Sequence, residues 1–141
     1  MVILMVSPHY NQDYTWEEIS AILKAIKDCV ERDRFSISKN ENRQENLDFI
    51  RDFNLTNKRI KEILMEIKPE DFCHSLQNKK PGFEHEILYV FCTVKRLADI
   101  HGVENDVSIY IKFNLIEYSD GKNVVVISFH KLNRPIGYLF K

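Results

Sequence analysis

The chain has 141 residues and a mass of 16.8 kDa, with 44% hydrophobic and 29% charged residues. Because roughly 100–200 residues make one domain, this size predicts a single domain over residues 1–141, and 11% aromatic residues argue against a disordered chain. The 20 Lys and Arg against 21 Asp and Glu give a net charge of -1. A nucleic-acid binder that depends on bulk positive charge is therefore disfavoured, and any basic surface must be local.

The first residues of the chain and its three cysteines indicate the cellular compartment in which the protein is expected. No apolar run approaches the ~18 residues of a membrane span, and the apolar segment 2–6 lacks the basic flank of a signal peptide. We therefore expect a cytoplasmic protein without a membrane partner. Residues 1–14 are expected to form a tail, an extra strand of the sheet, or a partner-binding strand. Cys29, Cys73 and Cys92 have no Cys-x-x-Cys spacing, which favours buried reduced thiols over a zinc site.

The first half of the chain has helical periodicity. Thr15 and Glu18 have the spacing of a capping box, and the apolar residues behind them predict a helix over 16–33. A short edge strand is predicted over 34–38. A second helix is predicted over 41–53, with Leu47, Ile50 and Phe53 on its apolar face. Thr56 can cap a third helix, which Pro69 ends, with room for one more turn after it.

The second half changes to the periodicity of strands. Residues 77–82 are polar and predict a loop, and 87–94 form a continuous apolar run that predicts a strand covered on both faces. Residues 95–106 are polar, whereas 107–118 and 122–131 predict two further strands. Helices followed by strands predict an α+β fold, in which three N-terminal helices pack on a mostly antiparallel β-sheet of three to five strands.

The last two predicted strands are close enough to form a hairpin, and its loop length decides which side chains face each other. A three-residue loop, with Gly121 as a left-handed bulge, places every large residue on one face. It pairs Leu115 with Val125, Phe113 with Ile127, and Ile111 with Phe129.

The same register predicts the composition of the other face. It places Tyr110 opposite His130 and Lys112 opposite Ser128, at about 4.5–5.5 Å between Cβ atoms. An imidazole can exchange a proton near neutral pH, a lysine can hold a phosphate, and a tyrosine can donate a hydrogen bond or stack on a base.

The C-terminal part of the chain provides a local excess of positive charge. From residue 121 to the end there is no acidic residue. The cations there that we assign to substrate binding, together with Ser128, are Lys122, Lys131 and Arg134. The outward face of an antiparallel sheet is normally polar, however, so the same residues also fit an ordinary solvated surface, and Lys122 and Lys131 could serve to protect strand ends. His residues show no metal-binding spacing, and no metal or cofactor is assigned.

Four blocks of sequence, in order and spacing, resemble the MqsR family of toxins. They are Pro69–Phe72, Glu86–Phe91, Val107–Lys112 and Val126–His130, and the end of the chain, Pro135–Lys141, resembles the end of many members. The resemblance extends over about residues 41–141 and is closest over 107–131. It implies a RelE-like α+β fold and the function of a type II toxin, which cuts messenger RNA without a metal and is neutralised by a partner antitoxin protein.

The resemblance also implies catalytic roles for particular residues. The tyrosine and lysine of the family's Tyr-x-Lys strand correspond to Tyr110 and Lys112, and the basic residue after Ser-Phe corresponds to His130. A basic residue after the Asp-Phe block corresponds to His74, and a polar residue before the first long strand corresponds to Glu86, where better-known members carry an amide. In the expected mechanism, His130 acts as acid or base, Lys112 provides charge, and His74 or Glu86 completes the proton-transfer pair.

Two other functions fit the same sequence. One is a protein-binding inhibitor or adaptor without catalysis, and the other is a translation blocker that needs the ribosome to position its RNA.

Overall fold

The computed structural model describes residues 10–39 and 43–141, and within them the chain forms three α-helices, a 3₁₀ turn and one six-stranded sheet. In chain order the elements are β1 (Tyr10–Asn11), α1 (Trp16–Glu31), β2 (Phe35–Ile37), α2 (Gln44–Asp52), α3 (Asn57–Met65), the 3₁₀ turn (Pro69–Asp71), β3 (Phe72–Gln77), β4 (Ile87–Ala98), β5 (Glu104–Tyr118) and β6 (Gly121–Lys131). The α+β class is confirmed. The expected three to five strands are too few, because β3 was not predicted. β1 falls within residues 1–14, for which an extra strand was one of the expectations.

The strand order is β1-β3-β4-β5-β6-β2. Four neighbouring pairs are antiparallel, and β2 pairs with β6 in parallel. The predictions of a mostly antiparallel sheet and of an edge strand near residues 34–38 are therefore confirmed. The apolar segment 2–6 lies outside the described residues.

The helix starts follow the predicted capping chemistry. The Thr15 hydroxyl accepts from the Glu18 amide at 3.1 Å, and the Glu18 carboxylate accepts from the Thr15 amide at 2.8 Å. Thr56 caps α3 by accepting from the Arg59 amide at 3.1 Å. These bonds satisfy backbone donors that a helix start leaves unpaired. In the described part of the chain, no helix is long and apolar enough to cross a membrane.

The three helices contribute to a core on one face of the sheet, here called the core face. Ile19 and Ile26 of α1 and Ile63 of α3 are fully buried there. The Phe49 ring of α2 meets the Phe129 ring of β6 edge-on, with centroids 5.5 Å apart. Because successive side chains of a strand alternate between faces, the neighbours of these sheet residues point to the opposite side, here called the open face.

The β4–β5 hairpin is longer than predicted. Residues 95–106 were expected to be a polar connection, but β4 continues to Ala98 and β5 begins at Glu104, directly opposite it. A two-stranded ribbon that is solvated on both faces can carry charged side chains. The polar composition of residues 95–106 therefore did not indicate where the strands end. The prediction that 87–94 is covered on both faces is confirmed at its centre, where Val90, Phe91 and Cys92 are all buried. It is wrong at the ends, where Ile87 is 39% and Val94 is 53% exposed.

The β5–β6 hairpin differs from its predicted register near the turn. Its loop has two residues, since Tyr118 pairs with Gly121, and β6 carries a bulge at Ile127, between Ser128 and Val126. Phe113 therefore pairs with Val126 and Leu115 with Val124, which corrects the predicted partners Ile127 and Val125. Beyond the bulge, the predicted pairs Ile111–Phe129, Tyr110–His130 and Lys112–Ser128 are confirmed.

The C-terminal segment, residues 132–141, crosses the open face and ends at the core. Leu132, Ile136 and Tyr138 pack against Cys73, Val90 and Cys92. Further on, the Leu139 amide donates to the Phe72 carbonyl at 3.1 Å, and the Phe140 ring meets Trp16 of α1 at 5.2 Å. All three cysteines are buried and free, as predicted.

Candidate functional site

A cleft of about 450 Å³ lies on the open face, between the sheet and the C-terminal segment. It is lined by residues of β3, β5 and β6, of the start of α2 and of the C-terminal segment. The lining residues are Arg43, Glu45, His74, Tyr110, Lys112, Ser128, His130, Leu132, Asn133, Arg134, Pro135 and Ile136. Among these described residues Glu45 is the only acid, so the cleft is locally basic although the whole chain is not.

Strand pairing brings the central groups together. Tyr110 lies directly opposite His130, and Lys112 lies directly opposite Ser128. The Tyr110 and His130 rings are stacked, with centroids 5.3 Å apart and planes at 16°. Lys112 is therefore on the diagonal from His130, a distance of about 7–8 Å between Cα atoms. The three side chains therefore share one small area of the open face.

A buried amide fixes the β6 bulge that aims these residues. Asn46 of α2 is 0% exposed. Its Nδ2 donates to the carbonyls of Ser38 and Ile127 at 2.9 Å each, and its Oδ1 accepts from the Phe129 amide at 2.9 Å. The bulge shifts the alternation of β6 by one residue, so that Ser128 and His130 face the cleft while Val126 and Phe129 both stay in the core.

The His130 imidazole is oriented by its surroundings. Its Nδ1 is 2.9 Å from the Lys131 carbonyl oxygen. A carbonyl cannot donate, so Nδ1 carries a proton and Nε2 of the neutral ring is the atom that can accept one. The Glu45 carboxylate is 3.8 Å from the same Nδ1 and accepts from Asn133 Nδ2 at 2.8 Å. At 3.8 Å the Glu45 carboxylate makes no hydrogen bond to Nδ1, but it places a negative charge beside the imidazole.

Lys112 sits in a partly desolvated position. Burial lowers the pKa of its ammonium group, and the nearby Arg43 guanidinium lowers it further. Its amine therefore gives up a proton more readily than that of an ordinary surface lysine. Burial also raises the pKa of the Tyr110 phenol, so that hydroxyl stays protonated and can donate a hydrogen bond at neutral pH.

His74 lies at the other end of the cleft and is 7% exposed. The Tyr10 ring stacks on it, with centroids 4.2 Å apart and planes at 29°. Burial, helped by the Lys112 charge, lowers the pKa of His74 to about 4. Its Nδ1 is buried without a hydrogen-bond partner among the residues that the structure describes. At neutral pH this ring is therefore uncharged.

Six of the nine residues proposed from sequence line the cleft: His130, Tyr110, Lys112, His74, Ser128 and Arg134. Within this set, His74 and His130 are three strands apart, which corresponds to roughly 14 Å at about 4.8 Å per strand. They cannot both contact one phosphorus atom.

The other three residues lie elsewhere. Glu86 precedes β4, and its Oε1 accepts from Asn78 at 2.9 Å and from Asn114 at 3.0 Å, outside the cleft lining. Lys131 is exposed and pairs with the core residue Ile109, so it leaves the sheet on the opposite side from His130. Lys122 is at the far end of β6, beside Arg34 and Asp120.

Sequence reasoning missed four polar residues of the site: Arg43, Glu45, Asn46 and Asn133. Three of them belong to or adjoin α2, whose buried residues are Asn46 and Phe49. The predicted apolar face of Leu47, Ile50 and Phe53 is only partly buried. An Asn in phase with Phe49 on this helix was the available signal, because a buried amide implies bonds to backbone groups elsewhere.

Within the described residues, no three His, Cys, Asp or Glu side chains are grouped so that they could hold a metal ion. Comparisons of the chain with family models, with curated proteins and with solved structures find no match. The chemistry of the cleft residues is therefore what indicates the function.

Proposed function

We propose that the protein is an endoribonuclease that cuts messenger RNA without a metal, and that it is the toxin of a type II toxin–antitoxin module with a RelE-like fold. The observation that supports this most is the convergence, in one basic cleft, of an imidazole with a free Nε2, a phenol and a desolvated lysine. These groups match the needs of phosphodiester cleavage by the neighbouring ribose hydroxyl, namely a base, positive charge and an acid.

In the proposed reaction, Nε2 of His130 takes the proton of the ribose 2′-hydroxyl. The 2′-oxygen attacks phosphorus, the O2′–P bond forms, and the P–O5′ bond breaks. The Lys112 ammonium group stabilises the charge on the phosphorane and transfers a proton to the leaving 5′-oxygen. The products are a 2′,3′-cyclic phosphate and a 5′-hydroxyl, and proton exchange with water restores both side chains.

The remaining cleft residues bind and orient the substrate. The Tyr110 hydroxyl donates to a phosphate oxygen, while its ring limits the rotation of His130. Arg43 and Arg134 hold the neighbouring phosphates by bidentate contacts. Lys112, rather than Glu86 or His74, is the proton-transfer partner of His130, because Glu86 lies outside the cleft lining and His74 is three strands away.

The test is incubation of purified protein with naked messenger RNA in the presence of a chelator. A positioned acid or base contributes ~10²–10⁴-fold, so we expect His130→Ala to slow cleavage by about that factor. His101→Ala is the matched control, because His101 is exposed in the β4–β5 turn. Cleavage by His130→Ala at the wild-type rate, or equal cleavage of a 2′-deoxy substrate, would contradict the mechanism. Growth arrest on expression, relieved by a small protein encoded next to it, tests the toxin role.

A further inference from the structure

The end of the cleft next to β1 and β3 carries two aromatic side chains that have no role in the proposed cleavage of the phosphodiester. Tyr10 lies opposite Leu76 in the β1–β3 pair and so shares the open face with the cleft. Its ring covers His74, which is 7% exposed and lines the cleft. Tyr10 itself is only partly buried. The end of a basic cleft is thus formed by the uncharged His74 ring, and the Tyr10 ring stacks on it from β1, beyond the cleft lining.

The position of this pair relative to Lys112 is set by the sheet. His74 pairs with Val90, and Val90 pairs with Lys112. Two strand spacings therefore separate His74 from Lys112, roughly 10 Å. A single RNA strand that crosses the sheet, with one phosphate at Lys112, brings a flanking nucleotide over β3.

The buried Nδ1 of His74 is a second, independent observation at this place. It has no hydrogen-bond partner among the described residues, although a buried polar atom without a partner is costly. His74 lines the cleft, and the neutral state of its ring removes any attraction for a phosphate. An uncharged, flat and partly exposed surface next to a row of cations is the combination used to bind single-stranded nucleic acid, where the cations follow the backbone and the rings stack on bases.

We propose that Tyr10 and His74 form a nucleobase subsite, in which an unpaired base flanking the cut stacks on the Tyr10 ring. This inference rests on the proposed function for the identity of the ligand, and it specifies the substrate as single-stranded RNA held by a base as well as by its phosphates. Duplex RNA is excluded from the subsite, because its bases are already stacked and paired.

The experiment measures binding rather than cleavage, so that it does not depend on catalysis. The probe is a short 2′-O-methyl RNA carrying 2-aminopurine, which has no free 2′-hydroxyl and whose fluorescence falls when the base stacks. We expect the wild-type protein to quench the probe at one position of the strand. Tyr10→Leu should abolish the quenching and weaken binding about 5- to 150-fold, the range for one stacked base. Tyr10→Phe should retain both.

The variants separate stacking from a structural role. Leucine keeps apolar volume over His74 but has no ring face, and far-UV circular dichroism reports whether the sheet is intact. Tyr118→Leu is the matched control, because Tyr118 is 49% exposed at the β5–β6 turn. Quenching by Tyr10→Leu equal to that by wild type, or equally tight binding of duplex RNA, would overturn the subsite. Tyr10-dependent quenching by a protein that does not cut RNA would leave the subsite standing and refute the nuclease.

Discussion

The imidazole of His74 is held neutral by its surroundings, and this has a consequence for stability. Its pKa in the folded protein is about 4, against an ordinary value of 6.5. Between these two values the unfolded chain binds more protons than the folded one, so protonation favours unfolding as the pH falls. The stabilising contribution is fully present above pH 6.5 and is lost as the pH falls towards 4.

We therefore expect the wild-type protein to lose about 2–3 kcal/mol of unfolding free energy between pH 7 and 4.5 through His74 alone. His74→Phe keeps an aromatic ring against Tyr10 and removes the titrating group. Between pH 7 and 4.5 the unfolding free energy of this variant should therefore fall by about 2–3 kcal/mol less than that of the wild type. Urea unfolding at the two pH values measures the difference. Parallel losses in wild type and variant would contradict the neutral, buried state of His74.

Two cations that are close in the sequence lie on different sides of the sheet, and comparing them tests whether the cleft binds RNA. Arg134 lines the cleft, whereas Lys131 leaves the other side of the sheet. Each phosphate contact contributes roughly one unit to the salt dependence of binding to nucleic acid. We expect Arg134→Ala to weaken RNA binding and to reduce the slope of log K against log salt by about 0.7–1, and Lys131→Ala to change neither. Equal effects of the two variants, measured by titration at several salt concentrations, would contradict the assignment of the cleft as the RNA site.

At the scale of secondary structure, the β6 bulge connects α2 to the site. Asn46 makes three hydrogen bonds to backbone groups of the β2 end and of β6. Each buried partner left unsatisfied costs about 1–3 kcal/mol. Asn46→Ala should therefore destabilise the protein by about 3–5 kcal/mol, which is in the exceptional range for one substitution.

Gln44 is the matched control for Asn46, because its amide lies on the exposed part of the same helix and contacts only Asp48 among the described residues. Gln44→Ala should change the unfolding free energy by less than about 0.5 kcal/mol. Denaturant unfolding of both variants tests this. A loss below about 1 kcal/mol for Asn46→Ala would show that the bulge does not depend on the amide.

The elements that sequence predicted are those whose cause is local. Thr15 and Thr56 mark helix starts through bonds to residues three positions away. The apolar run at 87–94 predicts a strand from composition alone, and its central residues are buried. β3 was missed because its residues, Phe72–Gln77, mix apolar and polar types and become a strand only by pairing with β4. The Ile127 carbonyl at the bulge accepts from Asn46, which is 81 positions away, so no local pattern could indicate the bulge.

The same distinction applies to the site. Tyr110, Lys112, Ser128 and His130 lie on one hairpin. Their shared face was predicted from a three-residue loop, whose register coincides with the observed one beyond the bulge. Glu45 and Asn133 meet each other and His130 only because α2 and the C-terminal segment pack at the same edge. Contacts between distant segments depend on the packing of the whole chain, and one sequence contains no direct signal for them.

At the scale of the whole molecule, the C-terminal segment joins the two faces of the sheet. Leu132, Pro135 and Ile136 form one wall of the cleft on the open face, while Phe140 packs on Trp16 of α1 and near Phe72 in the core. The wall is therefore anchored at a place remote from the RNA site. Its position depends on an aromatic contact that no substrate touches.

Because Phe140 lies far from the reacting groups, we expect its loss to loosen the C-terminal segment without changing the chemical step at the sheet. Phe140→Ala removes a partly buried ring and should cost about 1–2 kcal/mol of unfolding free energy. Hydrogen exchange of amides in 132–139 should quicken, and the KM for RNA should rise more than kcat falls, because Lys112 and His130 are held by β5 and β6 rather than by the segment. Phe83→Ala is the matched control, since Phe83 is 42% exposed in the β3–β4 connection. A fall in kcat with an unchanged KM would mean instead that the segment positions the reacting groups themselves.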